Sequence, residues 1–290
     1  MGSGSWSATN YVSYNTSVRG VTTSTTGAAI LDGLSYQDVF KNKKTDPMLN
    51  PKNVMRECRD SNEHPNTIPV IIACDLTGSM THVGMEVASK IGVIVQDLFD
   101  RYDDVQICIM GIGDIYCDSD PIQIGQFESD IRIAEQLDKL YFERGGGGNG
   151  YESYTAAWYY GARHCDLDCW KRGKKGIIIT TGDEPLNPYL NKNDLEKVSG
   201  DGLEADIETK PLYDEVSEKF DVYHIAIDSP GTSYRYYKNS IKNTFGVILP
   251  KGHLKIATLD SLAKDIVDCI DDALSNNSYI MQRNDGGISW

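Results

Sequence analysis

Thr67-Ile68-Pro69-Val70-Ile71-Ile72-Ala73-Cys74-Asp75-Leu76-Thr77-Gly78-Ser79 is the stretch on which the fold turns. Pro69 has no N–H to give to a sheet ladder, so it belongs at a strand's beginning. After it the apolar run is unbroken to Cys74, without the polar alternation of a half-solvated strand. That pattern marks a strand covered on both faces. The run stops at a carboxylate and two hydroxyls, Asp75, Thr77 and Ser79, on alternate positions of one tight loop. Helical spacing then takes over, with Val87, Ile91, Val95 and Leu98 on one face of Val83 to Tyr102.

Working outward, Val105 to Ile112 reads as a second buried strand and Ile122 to Phe127 alternates like an edge strand. Asp130 to Leu140 reads as a helix. The glycines Gly145 to Gly148 precede another, near Ser153 to Asp166. Gly176 to Thr181 is a third buried strand, ending in Gly182-Asp183. Pro211 to Phe220 is helical in pattern, Val222 to Ile227 a strand, and Tyr234 to Thr244 a helix. Leu254 to Ala257 is a short strand and Leu259 to Leu274 a closing helix. Short strands alternating with helices predict an α/β fold: a doubly wound, mostly parallel sheet with one antiparallel edge strand and helices on both faces. Such sheets bind ligands at the carboxyl ends of their strands, near a topological switch point. Residues before Thr67 read differently. The Ser, Thr, Asn and Gly of residues 3–29 have no period, which predicts an extended arm or irregular cap. Tyr36 to Lys41 is one helical turn, and Asp46-Pro47 and Asn50-Pro51 are turns. Trp6, Tyr11 and Tyr14 are anchors for the arm, on the main domain or on a partner. The expected division is an arm over 1–66, a domain over 67–275 and a tail over 276–290.

The 290 residues are 40% hydrophobic and 24% charged, which suits a folded core, and the net charge is −14. Phosphate backbones and anionic lipids are repelled by that charge, so neither nucleic acid nor a membrane surface is the expected partner. Apolar runs are of strand length, far short of the ~20 residues of a bilayer span. Met1 to Asn10 has no apolar core of an export signal. Seven scattered cysteines do not make a secreted disulfide framework, and a reducing cytoplasm is the expected location. His164, Cys165 and Cys169, read as lying on one helix, offer zinc one ligand fewer than a structural site usually takes.

Three segments carry chemistry. Asp75, Thr77 and Ser79 end the first strand, Asp183 ends the third, and Gly145-Gly146-Gly147-Gly148-Asn149-Gly150 can bring Asn149, Glu152 or Ser153 to the same sheet edge. Oxygen donors without imidazole or thiolate select hard cations, Mg²⁺, Mn²⁺ or Ca²⁺. His82, Tyr151 and Glu184 stand beside these segments and are the candidates to touch a bound partner. Elsewhere, Gly111-x-Gly113 is a tight turn rather than a dinucleotide fingerprint, and no phosphate loop is present. Asp114, Asp118 and Asp120 lack the later Glu of a calcium loop. His224 is read as a core histidine, and Tyr154, Trp158 and Tyr159 as helix packing.

Asp75, Thr77 and Ser79 resemble the Asp-x-Ser-x-Ser loop of the von Willebrand factor A family, its metal-ion-dependent adhesion site. The element order over 67–275 is similar to that family's as well. The resemblance implies that Thr77 and Ser79 hold Mg²⁺ through their hydroxyls, Asp75 through water, and Asp183 directly or through water. The family's middle loop supplies a Thr. Here the nearest, Thr155, falls inside a helix, which leaves Asn149, Glu152 and Ser153 as the candidates for that ligand. The resemblance also implies an incomplete shell whose last water gives way to a partner's Asp or Glu, and hence a binding module without catalysis. In bacterial and phage members the partner is often an AAA+ ATPase or another complex subunit. Two other readings stay open. One is a Mg²⁺-dependent phosphatase or hydrolase using Asp75, although Thr77 stands where a second Asp is needed. The other is a structural component of a phage or other assembly, with a degenerate metal site.

Overall fold

A computed structural model describes residues 4–143 and 150–276. Its centre is a six-stranded sheet of β1 (Ile68–Asp75), β2 (Val105–Ile112), β3 (Ile122–Ile124), β4 (Gly176–Gly182), β5 (Phe220–Ile227) and β6 (Leu254–Ala257). The spatial order is β6-β5-β4-β1-β2-β3, parallel except for the β2–β3 pair. The fold is therefore the mixed α/β, doubly wound, Rossmann-like arrangement expected from the sequence. The chain builds outward from β1 to β2 and β3, then returns to the other side of β1 with β4. The switch point lies between β1 and β4, where crossovers run to opposite sides and leave a crevice at the strands' carboxyl ends.

Alternation along β1 explains why both faces are covered. Val70, Ile72 and Cys74 join one apolar cluster, and Ile71 and Ala73 the other. The first cluster packs under α1 (Thr81–Arg101) and α6 (Leu259–Asn276), with α2 (Arg132–Asp138) beside them. The second packs under α3 (Thr155–Arg163), α4 (Thr209–Ser217) and α5 (Tyr234–Phe245). Ile71 at the centre is fully buried. Truncating such a side chain to Ala typically costs about 2–5 kcal/mol.

Several boundaries differ from the sequence reading. The edge strand stops at Ile124 rather than Phe127. α3 ends at Arg163, because Cys165–Leu167 leaves as a short strand that pairs in parallel with Arg56–Cys58. That pairing joins segments more than a hundred residues apart, which no local pattern reveals. His164, Cys165 and Cys169 thus do not share a helix. Both ring nitrogens of His164 are taken, Nδ1 at 2.9 Å from the Val54 carbonyl and Nε2 at 2.7 Å from Asp201, so none is left for zinc. A further helix, Lys192–Ser199, is capped by Asn191 and has no counterpart in the sequence reading.

The arm is more ordered than its composition implies. Ser7 caps a helix, Ala8–Tyr14, which widens into one π-helical turn, Asn15–Arg19. Tyr11 and Tyr14 are buried against the domain. Arg19 makes a two-pronged ion pair with Asp138 of α2 at 2.7 and 2.6 Å and also donates to the Ala88 carbonyl of α1. Of the two places considered for its aromatic anchors, the structure shows the main domain.

Candidate functional site

At the end of β1, Leu76 N donates to the Ile112 carbonyl of β2 at 2.7 Å, which ties the start of the loop to the neighbouring strand. Gly111 makes room for the Leu76 side chain, since a Cβ there would stand 2.2 Å from it. The loop then tightens into one 3-10 turn, Gly78–Met80, before α1 begins. Asp75 is almost fully buried. Its Oδ1 accepts from Thr77 N at 2.9 Å and Thr77 Oγ1 at 2.5 Å, and its Oδ2 accepts from the Tyr154 hydroxyl at 2.7 Å. A hydroxyl that donates to a carboxylate keeps its lone pairs, so Thr77 Oγ1 remains an oxygen donor for a cation.

Asp183 stands across the switch point, just past β4. Its Oδ2 accepts from Ser233 N at 2.6 Å. Its Oδ1 is buried and has no hydrogen-bond partner. Ser79 neighbours Asp183 and favours its ionised form, and the negative charge of Asp183 acts on Asp75. The structure thus brings Asp75, Thr77, Ser79 and Asp183 together from two strand ends. Burial, then repulsion by Asp183, pushes the Asp75 carboxyl up to about 7, and burial raises Asp183 as well.

Glu152 belongs to the same neighbourhood. It is buried, joined to Leu186 by a parallel bridge, and its Oε2 lacks a partner. Burial and then the charges of Asp75, Glu184, Asp114 and Asp118 raise its carboxyl to about 11. Ser153 is directed elsewhere: its Oγ accepts from Ile115 N at 3.0 Å. Asn149 lies outside the described residues. Thr155, the first residue of α3, accepts from Asn187 Nδ2 at 2.6 Å and is occupied there. Of the three flanking residues, Glu184 is half-buried, with burial and Asp183 raising it to about 7. Tyr151 is half-buried beside Tyr189 and Tyr116. His82 lies within reach of Asp183's charge, its Nε2 buried without a partner.

Tyr154 is the residue that helical spacing misassigned in part. Its ring does pack, 5.0 Å from His224 and 5.8 Å from Phe245. Its hydroxyl nonetheless reaches Asp75 and accepts from Glu184 N at 3.4 Å. Gly182 leaves room for it, because a Cβ there would sit 2.0 Å from that hydroxyl, and no spacing in the sequence signals this. Meanwhile Asp114, Asp118 and Asp120 each accept from a loop N–H: of Tyr116, of Asp114 and of Thr45.

Among the described residues, no three His, Cys, Asp or Glu side chains could hold a metal ion as a group. The donor set here is mixed, two carboxylates with two hydroxyls. The unpartnered Asp183 Oδ1 is the kind of atom a bound cation would satisfy, so the residues fit a hard cation.

No family model matches this sequence, and no curated protein does. Solved structures do resemble it. The pilus adhesin SpaC from Lactobacillus rhamnosus GG in its open conformation has a TM-score of 0.52 and 13% identity, over 75% of this chain and 31% of the adhesin's. A second structure of that adhesin has a TM-score of 0.51 and 12% identity, over 75% and 32% of the two chains. The proximal thread matrix protein 1 of the mussel byssus is more distant, with a TM-score of 0.44 and 13% identity over 70% and 48%. The chain thus spans about a third of the adhesin's length, and at such identity the likeness to the adhesin is one of fold.

Proposed function

We propose that this chain is a divalent-cation-dependent protein-binding module of the von Willebrand A type, without catalysis. In this reading Asp75, Thr77, Ser79 and Asp183 hold Mg²⁺, or Mn²⁺ or Ca²⁺ by the same oxygen chemistry, and Glu152 is a further carboxylate within electrostatic reach of Asp75. The carrying observation is the buried Asp183 Oδ1, which has no hydrogen-bond partner, on a carboxylate whose charge reaches Asp75 across the switch point. Leaving a charged oxygen so costs several kcal/mol unless the group is protonated or meets a cation.

A bound Mg²⁺ supplies a hard positive centre with a position left for a partner's Asp or Glu. The protein's part is to hold the donors. Thr77 and Tyr154 fix both oxygens of Asp75, and Ser233 N fixes one oxygen of Asp183. Thr77 stands where an aspartyl-phosphatase site needs a second Asp as general acid, which favours binding over hydrolysis. Partner capture within a larger complex, an AAA+ ATPase or another subunit, follows from the resemblance alone. A reducing, cytoplasmic location is part of the same reading and draws on seven free thiols, six of them buried.

Titration calorimetry with MgCl₂ tests the reading. The wild-type protein is expected to bind, and Asp75→Ala and Ser79→Ala are expected to lose detectable binding while keeping the far-ultraviolet circular dichroism of the fold. Undiminished Mg²⁺ affinity in either variant overturns the assignment.

A further inference from the structure

We infer that a cavity between the arm and the segment after α2 takes a small planar aromatic anion, independently of the proposed cation site. The cavity measures about 520 Å³, a size that suits a small molecule. One wall is the arm from Tyr36 to Lys43, and the other is Tyr141 and Phe142. The two walls are fastened together. Asn42 Nδ2 donates to the Lys139 carbonyl at 2.7 Å, and the rings of Phe40 and Phe142 meet at 4.5 Å with a tilt of 46°. Phe142 in turn fills the space that Gly84 of α1 leaves, where a Cβ would stand 2.3 Å from the ring. Phe40 and Phe142 are buried, and Tyr36 and Tyr141 are half-buried. A cavity between aromatic walls that are already held in place asks little further ordering of the protein when a ligand enters.

Aromatic walls by themselves favour either another ring, in offset or edge contact, or a cation held over their faces. The charged groups decide between these. Lys41 and Lys43 line the cavity and are exposed, and among the described residues no Asp or Glu lines it. Neither lysine has an ion-pair partner among the described residues, whereas Lys90, Lys171, Lys175, Lys197, Lys210 and Lys264 each have one. Acids close to these walls along the chain are engaged with backbone N–H groups. Asp38 accepts from Ser35 N at 2.7 Å, Asp120 from Thr45 N at 3.3 Å, and Glu143 from Ser119 N at 2.8 Å and Asp120 N at 3.0 Å. Two ammonium groups beside the cavity repel a cation and attract an anion. A carboxylate, sulfonate or phosphate carried on a flat ring meets both features: the ring packs on the aromatic walls and the oxygens accept from the ammonium groups.

The test is calorimetry on the full chain at fixed ionic strength, with cinnamate, cinnamyl alcohol and hexanoate as probes. The protein is treated with chelator, so that the outcome is separate from that of the cation site. Cinnamate is expected to bind about tenfold more tightly than either the uncharged alcohol or the ringless acid. Lys41→Gln combined with Lys43→Gln is expected to bring cinnamate down to the alcohol's affinity, with unchanged circular dichroism because both side chains are exposed. Lys41→Arg combined with Lys43→Arg keeps the charge and is expected to keep the affinity. Absence of cinnamate binding, equal affinity for cinnamate and either other probe, or undiminished cinnamate affinity in the glutamine variant overturns the inference.

Discussion

A methyl group at Gly182 would stand 2.0 Å from the phenol oxygen of Tyr154, the hydroxyl that holds Asp75 Oδ2. Two small facts of sequence, a glycine at a strand end and a tyrosine before a helix, therefore meet at one carboxylate. Gly182→Ala is expected to drive Tyr154 off Asp75. Overpacking of that kind typically costs about 1–3 kcal/mol of stability. Losing a group that orients a metal ligand typically costs about 10–100-fold in metal affinity. Tyr154→Phe separates the two effects, since it keeps the ring and removes only the hydroxyl. Calorimetry with Mg²⁺ beside urea denaturation reads both quantities. Wild-type Mg²⁺ affinity in Tyr154→Phe would remove Tyr154 from the site.

At the scale of elements, the arm and α1 are coupled through an absent side chain. Gly92, in the middle of α1, faces the ring of Tyr11, and a Cβ there would lie 2.2 Å from it. Gly92→Ala gains about 1 kcal/mol of helix propensity in α1 while blocking the arm's seat. Hydrogen exchange is therefore expected to show lost protection over Ala8–Arg19 and unchanged protection in β1. Retained protection of Ala8–Arg19 would show that the Arg19–Asp138 pair holds the arm without Tyr11. Elements with strong periods are legible in the amino-acid pattern. β2 and β6 have the boundaries the sequence predicts, and α1 and α5 differ from prediction by one or two residues. The arm helix is not legible, because Thr9, Asn10 and Ser13 are weak helix formers without an apolar period around them, and tertiary burial of Tyr11 and Tyr14 decides its conformation.

For the whole molecule, pH exposes the cost of a buried histidine. His224 stacks on Phe245 at 3.8 Å, with Thr180 Oγ1 2.8 Å from its Nδ1 and no partner at Nε2. Burial depresses its titration from 6.5 to about 3. Below the unfolded value, the unfolded chain takes up a proton that the folded one refuses. Its contribution is thus fully present above pH 6.5 and is lost as pH falls toward 3, by up to about 1.4 kcal/mol per pH unit. His224→Asn keeps an acceptor for Thr180 and removes this acid sensitivity. Urea denaturation of both proteins at neutral and acid pH is expected to give curves that converge in acid. Parallel curves would show that His224 accepts its proton while folded.

From the order of amino acids alone come the six strands of the central sheet, the burial of its middle strands on both faces, the α/β class and the carboxylates at two strand ends. Continuous apolar runs and helical spacing are local patterns, and local patterns are what a chain displays directly. Packing in three dimensions decides that β4 returns beside β1, which sets Asp183 against the Asp75 loop. Packing also gives Tyr154 to Asp75, Asn187 to Thr155 and Asp201 to His164. These contacts depend on which distant backbone leaves room, as Gly182 does. That room is a property of packed volume, and spacing along the chain does not record it.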